Sequence, residues 1–289
     1  MADTMQNKRV LITGANSGIG YVAAEMLAGM GAEVVLACRR PEAALDACNQ
    51  IRKAHPAAKL DTLTLDLSSL ESVRKAAAIV REKWPELDVL VNNAGIASMK
   101  RKTSVDGFEL TFATNHLGPF LFTQLILPTL KAPGGRIVNV ASTAHHQGHM
   151  HFDDLNLKKG YRVFKAYSQS KLANILFTRE LARRLEAKGI TVNCLHPGAV
   201  KTNIWPGDHW YEKLASAAIK LFLITPEEGA RTTAWLASSD AVADKTGDYF
   251  YRCRKAKISR EAADDNIARR LWDLSVEWTG LPADVAETR

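Results

Sequence analysis

"RVLITGANSGIGYVAAEMLAGMG", residues 9–31, runs a strand, a tight turn and a helix together. "RVLITG" (9–14) is a short β-branched run that ends on glycine. "TGANSGIG" (13–20) crowds Gly14, Gly18 and Gly20 into one turn, and "GIGYVAAEMLAGMG" (18–31) takes helical spacing and closes on Gly31. A turn this tight needs glycine, and so does close approach of a backbone to a pyrophosphate. The helix N-terminus beyond it offers free N–H groups and a partial positive charge to the same phosphates. Gly14, Asn16, Ser17, Gly18, Ile19 and Gly20 are therefore read as a phosphate cradle. Glycine-rich turns also arise by chance, but the strand before and the helix after supply the context the motif requires.

The same alternation continues along the chain. Strand-like runs are "EVVLAC" (33–38), "LDTLTLDL" (60–67), "LDVLVNNAG" (87–95), "GRIVNVAS" (135–142), "ITVNCLHPG" (190–198) and "TGDYFYRC" (246–253). Helical patterns fall between them at 41–54, 69–84, 107–130, 163–189 and 225–238, with a last helix at 259–280. Pro41 sits in a first turn, where its missing N–H does no harm, and Ser68 or Ser69 is placed to cap the helix that follows. Strands separated by helices imply parallel strands with crossover helices. The runs are apolar on both faces, as in a sheet covered from both sides. The fold expected is α/β: a doubly wound parallel sheet of about seven strands in one domain, 1–289.

Composition narrows the function classes. Hydrophobic residues make up 46% of the 289 and charged residues 24%, which is ordinary for a soluble globular chain. The net charge of +7 is scattered, and its densest runs, "MKRK" (99–102) and "YRCRKAK" (251–257), lack the interleaved aromatics of a nucleic-acid platform. No nucleic-acid partner is expected. The four cysteines, Cys38, Cys48, Cys194 and Cys253, form no CxxC pair, which suits a reducing compartment. "MADTMQNKRV" has no apolar signal segment, and no run reaches the roughly 18 apolar residues of a spanning helix. A cytoplasmic location is expected.

Two further patterns carry chemistry. The second strand ends "LACRRP", with Arg39 and Arg40 where an acidic residue would otherwise meet a ribose 2′-hydroxyl. Arginine pairs with a 2′-phosphate through forked, charged hydrogen bonds, so NADP is favoured over NAD, with Arg39 in direct contact. The bland alternative is an arginine pair that opens a helix. In "AYSQSKLANILF", Tyr167 and Lys171 are four apart and share a helix face. Free tyrosine titrates near about 10, and a neighbouring ammonium lowers that value, so the pair is a candidate general acid/base.

These features together resemble the short-chain dehydrogenase/reductase family, with a Rossmann-type fold. "LACRRP", "NHLGPFLFT", "SKLANILFTRELARRL", "LHPGAV" and "IARRLWDLS" resemble its retinol dehydrogenase-like branch. The resemblance implies a catalytic tetrad of Asn115, Ser142, Tyr167 and Lys171. It places Asp66 and Leu67 at the adenine, Asn93, Ala94 and Gly95 of "NNAG" along the cofactor cleft, and Pro197, Gly198 and Thr202 around the nicotinamide. It implies reversible hydride transfer between NADP(H) and an aldehyde, ketone or alcohol. In that reaction Tyr167 moves the proton, Ser142 steadies the oxygen, Lys171 also holds the nicotinamide ribose, and Asn115 places a water. Many members of that branch begin with a membrane anchor. No such anchor is read in this sequence, so neither a membrane location nor a retinoid substrate is assumed, and an apolar aldehyde, ketone or alcohol is expected.

The segment "NIWPGDHWYEKLASAAIKLFLI" (203–224), with Trp205, Trp210 and Tyr211, reads either as an apolar substrate lid or as core and dimer contacts. The long helices at 107–130 and 163–188 are candidates for a homodimer or homotetramer interface. A catalytically silent NADP-binding regulatory protein is the rival reading, and retention of both Tyr167 and Lys171 speaks against it. Finally, "ASTAHHQGHMHFDD" (141–154) gathers His145, His146, His149, His151, Asp153 and Asp154. Hydride transfer needs no metal, and no metal is expected. The segment is read as a flexible polar loop (143–163) at the substrate mouth, with His145 or His146 a candidate for touching substrate or titrating near neutral pH.

Overall fold

The computed structural model describes residues 4–198 and 224–282. Thr202 and residues 203–223, including Trp205, Trp210 and Tyr211, lie outside the described residues. In chain order the elements are β1 (Arg9–Thr13), α1 (Gly18–Gly29), β2 (Glu33–Cys38), α2 (Pro41–Ala54), β3 (Lys59–Thr64), α3 (Leu70–Lys83) and β4 (Val89–Asn92). A composite helix, α4, follows, built from Leu110–Phe112, a π turn at Ala113–Leu117 and Gly118–Ile126. Then come β5 (Arg136–Val140), α5 (Val163–Leu185), β6 (Thr191–Leu195), α6 (Pro226–Ser238), β7 (Tyr249–Tyr251), β8 (Arg254–Lys255) and α7 (Asp265–Thr279).

The strands form one sheet in the order β3-β2-β1-β4-β5-β6-β7-β8. All neighbours pair in parallel except β7 and β8. Strand alternation divides the core in two. Val10, Ile12, Val34, Leu36, Val89 and Val91 face one layer with Leu27, Ile51 and Ala234 from α1, α2 and α6. Leu11, Val35, Ala37 and Leu90 face the other with Val73, Phe120 and Phe177 from α3, α4 and α5. The sheet is doubly wound, as its apolar strands require.

The described residues hold eight strands rather than about seven. The expected run 246–253 does not continue as one strand. Arg252 and Cys253 take φ of 48° and 57°, and the chain folds back so that Tyr251 pairs with Arg254. Two consecutive left-handed residues make a two-residue hairpin turn, usually signalled by Asn-Gly. Arg-Cys gives no such signal.

The loop 143–163 is not the flexible segment expected. Thr143–Gln147 forms a single helical turn. Glu261 accepts from His149 Nδ1 (2.9 Å) and from the Met150 N–H (2.7 Å). Gln169 donates to the Leu155 carbonyl (2.9 Å) and accepts from the His151 N–H (3.1 Å), while the Asn156 side chain accepts from the Glu109 N–H (2.7 Å). The loop is held from three sides.

Candidate active site

Strand order reverses between β1 and β4, and the carboxyl ends of the strands open there into a cleft. Open α/β sheets bind ligands at this kind of switch point. One arm, about 190 Å³, is lined by Gly14, Asn16, Cys38, Arg39, Asp66 and Leu67 among others. The second, about 460 Å³, is lined by the turn 16–20 together with Asn93, Tyr167, Lys171 and Pro197. Gly14, Asn16, Ala94 and Gly95 border both arms, so the two are continuous.

The glycine turn is built as a cradle. Gly14 has φ +66°, and a Cβ there would stand 2.9 Å from the Ala94 Cα. At Gly20 a Cβ would come within 2.3 Å of Asn93 Nδ2, so only glycine fits. Asn93 Nδ2 donates to the Thr13 carbonyl (2.9 Å), and Thr13 Oγ1 accepts from the N–H groups of Asn93 (3.0 Å) and Ala94 (3.1 Å). The β1 and β4 ends are thus latched together. Sequence reasoning missed Thr13; its only signal is a hydroxyl residue beside the glycine turn. Ser17 caps α1 without a side-chain hydrogen bond, leaving the first N–H groups of that helix open to the cleft. A cavity walled by Cβ-free glycines at an open helix N-terminus fits a pyrophosphate.

Arg39 is exposed at the mouth of the smaller arm. Arg40 takes the N-cap position of α2 and does not border that arm. Asp66 accepts from the Ser68 N–H (2.9 Å) and hydroxyl (2.6 Å), which turns the chain at the end of β3 beside Leu67.

Tyr167 and Lys171 line the other arm, Ser142 is joined to it by a hydrogen bond to Tyr167, and Asn115 stands beside Gly95 of its wall. Lys171 is 3% exposed, donates to the Val140 carbonyl (2.9 Å), and lies 5.7 Å from the centre of the Tyr167 ring. Burial pushes the Lys171 ammonium down to about 8. Burial also pushes Tyr167 above its ordinary value, and a hydrogen bond from Ser142 opposes that rise. The expected lowering of the phenol by Lys171 is therefore not what governs the pair in the free protein. The Ser142 hydroxyl also accepts from the Ala144 N–H (3.2 Å).

Asn115 sits in the π turn of α4. Pro119 lacks an N–H and its ring crowds the carbonyl four residues back, which is that of Asn115, so the helix widens there. The Asn115 side chain is engaged at both ends: Oδ1 accepts from the Ile96 N–H (2.8 Å), and Nδ2 donates to the Ile96 carbonyl (2.9 Å) and to Ser170 Oγ (2.9 Å). It clamps the chain just after Gly95, where a Cβ would reach within 3.3 Å of Lys171 Nζ. The Asn174 amide, with its nitrogen turned toward the freed Asn115 carbonyl, lies 2.7 Å from it. That carbonyl can accept twice, so it keeps one lone pair beyond the Asn174 contact.

Pro197 borders the cleft, and Gly198 follows with φ +98° against Ile224. His145 is wholly buried, and burial pushes it down to about 4, so it is not a group that titrates near neutral pH. His146 is exposed, and its ring lies against that of His145 at 3.9 Å between centroids, tilted by 38°. Among the described residues no three His, Cys, Asp or Glu side chains gather as a metal site would need. Nor, among them, is any helix long and apolar enough to cross a membrane.

A sequence model of the short chain dehydrogenase family matches residues 8–209. Human retinol dehydrogenase 14 is 44% identical, over 96% of this chain and 88% of its own length. Human retinol dehydrogenase 13 is 41% identical over 97% and 87%. Among solved structures, an uncharacterized protein from Mycobacterium paratuberculosis is 37% identical with a TM-score of 0.79, covering 96% of this chain and 95% of that one. A short chain dehydrogenase from Burkholderia cenocepacia, solved in complex with NADP, is 26% identical with a TM-score of 0.68, over 91% of this chain and 100% of that one.

Proposed function

The chain belongs to the short-chain dehydrogenase family and is a retinol dehydrogenase-like oxidoreductase with a nicotinamide cofactor; from that premise we propose that it interconverts an apolar carbonyl compound and its alcohol using NADP(H). The observation that carries this reading is the joining of Ser142, Tyr167 and Lys171 at the end of the glycine-lined cleft.

When bound, the cofactor supplies the hydride. The chain supplies position, protons and field. Gly14, Gly18 and Gly20, with the N–H groups of α1, receive the pyrophosphate, and Asp66 and Leu67 flank the adenine. Arg39 at the mouth of the smaller arm supports NADP over NAD: the end of β2 carries arginine where an acidic side chain would receive a 2′-hydroxyl, and Asp66, which also lines the arm, accepts from Ser68. Tyr167 gives its proton to the carbonyl oxygen as reduction proceeds, and takes it back in oxidation. Ser142 hydrogen-bonds the same oxygen and steadies the charge that develops on it. Lys171, held by the Val140 carbonyl, sets the field at the phenol and reaches the nicotinamide ribose. Asn115 clamps the chain beside Gly95 and leaves its carbonyl to hold a water. The one continuous sheet supports reading 1–289 as a single catalytic domain.

The test is Tyr167→Phe, assayed for NADPH oxidation with an accepted aldehyde or ketone. Removal of a general acid is expected to lower kcat by about 100-fold or more while NADPH still binds. Unchanged turnover would sink the assignment.

A further inference from the structure

The histidines of the 143–163 loop do not gather into a metal site, yet one of them is built into the fold beside the reacting centre. His145 has no exposed surface, and each ring nitrogen has its own backbone partner. Nδ1 lies 2.7 Å from the Ser142 carbonyl, which can only accept, so Nδ1 carries the proton. Nε2 lies 3.3 Å from the Ser259 N–H, which can only donate, so Nε2 carries the lone pair. The two partners fix the tautomer between them. Burial holds the imidazole neutral at any pH well above about 4, and both roles persist across the working range.

The ring also joins the strand ends around the cleft. It meets Tyr249 of β7 edge-on at 5.0 Å, and the Tyr249 hydroxyl is 2.6 Å from Nδ1 of His196, the residue before Pro197. Ser142 itself is extended (φ −160°, ψ 155°), and its hydroxyl is tied to the Ala144 N–H at 3.2 Å. The Ser142 carbonyl thus accepts twice from His145, from the backbone N–H at 3.2 Å and from the ring at 2.7 Å, and the shorter of the two is the ring's.

We propose that His145 is a positioning residue, a rigid bridge from the Ser142 carbonyl to the Ser259 N–H that aims the Ser142 hydroxyl at the substrate oxygen. It acts through Ser142 and touches neither substrate nor cofactor. The proposal rests on the reading of Ser142 given under Proposed function.

A double-mutant cycle on the full chain, with NADPH and an accepted carbonyl, tests it. His145→Phe keeps a ring but neither hydrogen bond, and is expected to lower kcat by about 10-fold or more with the KM for NADPH within about 2-fold. His145→Asn keeps a donor near the Nδ1 position and is expected to recover much of that loss. In a Ser142→Ala background, His145→Phe is expected to cost nothing further. Wild-type kcat in His145→Phe, no rescue by asparagine, or the same fold-loss in both backgrounds would overturn the proposal. A ¹⁵N spectrum of the wild-type ring decides without any variant, and so also where His145→Phe fails to fold. An Nδ1–H tautomer unchanged between pH 5 and 8 is expected, and an Nε2–H tautomer or a titration in that range overturns it. If Ser142→Ala or Tyr167→Phe keeps full turnover, the underlying reading has failed instead.

Discussion

Lys171 is an ammonium enclosed by protein, and its cost shows in stability as well as chemistry. Its pKa drops from 10.5 to about 8 because burial disfavours the charged form. Below about pH 8 the folded state bears the full cost of the buried charge. Between about 8 and 10.5 the unfolded chain holds more protons than the folded one, so stability rises with pH. Against Lys171→Met, which has no such group, the wild type should therefore gain stability across this window, by up to about 3 kcal/mol in all. Denaturant unfolding of both proteins at the two ends of the window checks this. A constant difference would mean that the lysine is not desolvated. Arg39 makes a separate claim. Arg39→Ala should weaken NADPH binding by about 10- to 100-fold, the worth of a charged hydrogen bond, and leave NADH binding alone. Equal losses for the two cofactors would remove Arg39 from the phosphate.

At the scale of elements, the turn between β7 and β8 carries local strain. Two non-glycine residues in the left-handed region are rare, and Arg252 and Cys253 sit side by side there. Replacing them with Asn-Gly, which suits this turn, should raise stability by about 1 kcal/mol in a denaturant melt with activity unchanged. A loss of stability would mean that the Arg252 and Cys253 side chains are needed there. The same hairpin shows where sequence reading stopped. The boundaries of β2 and α2 were legible to the residue, because proline, glycine and a continuous apolar run mark them. The turn at Arg252 was not, because no Asn or Gly announces it. The π turn around Asn115 was also hidden. Its cause, Pro119, is plain in the sequence, but the helix periodicity on either side conceals the widened turn. The firm anchoring of the 143–163 loop depends on Glu261, Gln169 and Glu109, residues distant in the chain, which no local pattern could join to it.

At the scale of the molecule, the sheet brings together what the sequence scatters. The cradle closes β1, Arg39 closes β2, Asp66 follows β3, "NNAG" closes β4, Ser142 follows β5 and Pro197 follows β6, and all of them edge one cleft except Ser142, which is joined to it through Tyr167. Alternating strands and helices told the fold class from composition and period alone. The order of strands, and hence the convergence of these ends, is a consequence of topology that the sequence pattern does not state. His145 lies at the same convergence, which is why its burial escaped a reading that saw only a polar loop. The central claim is hydride transfer from NADPH to a carbonyl carbon within this cleft. NADPH carrying deuterium at nicotinamide C4, incubated with the enzyme and an accepted carbonyl, tests it most directly. One deuterium at the carbinol carbon of the alcohol is expected, with transfer slowed by about 100-fold or more in Tyr167→Phe. An alcohol that forms without deuterium from either C4-labelled form of NADPH would contradict it.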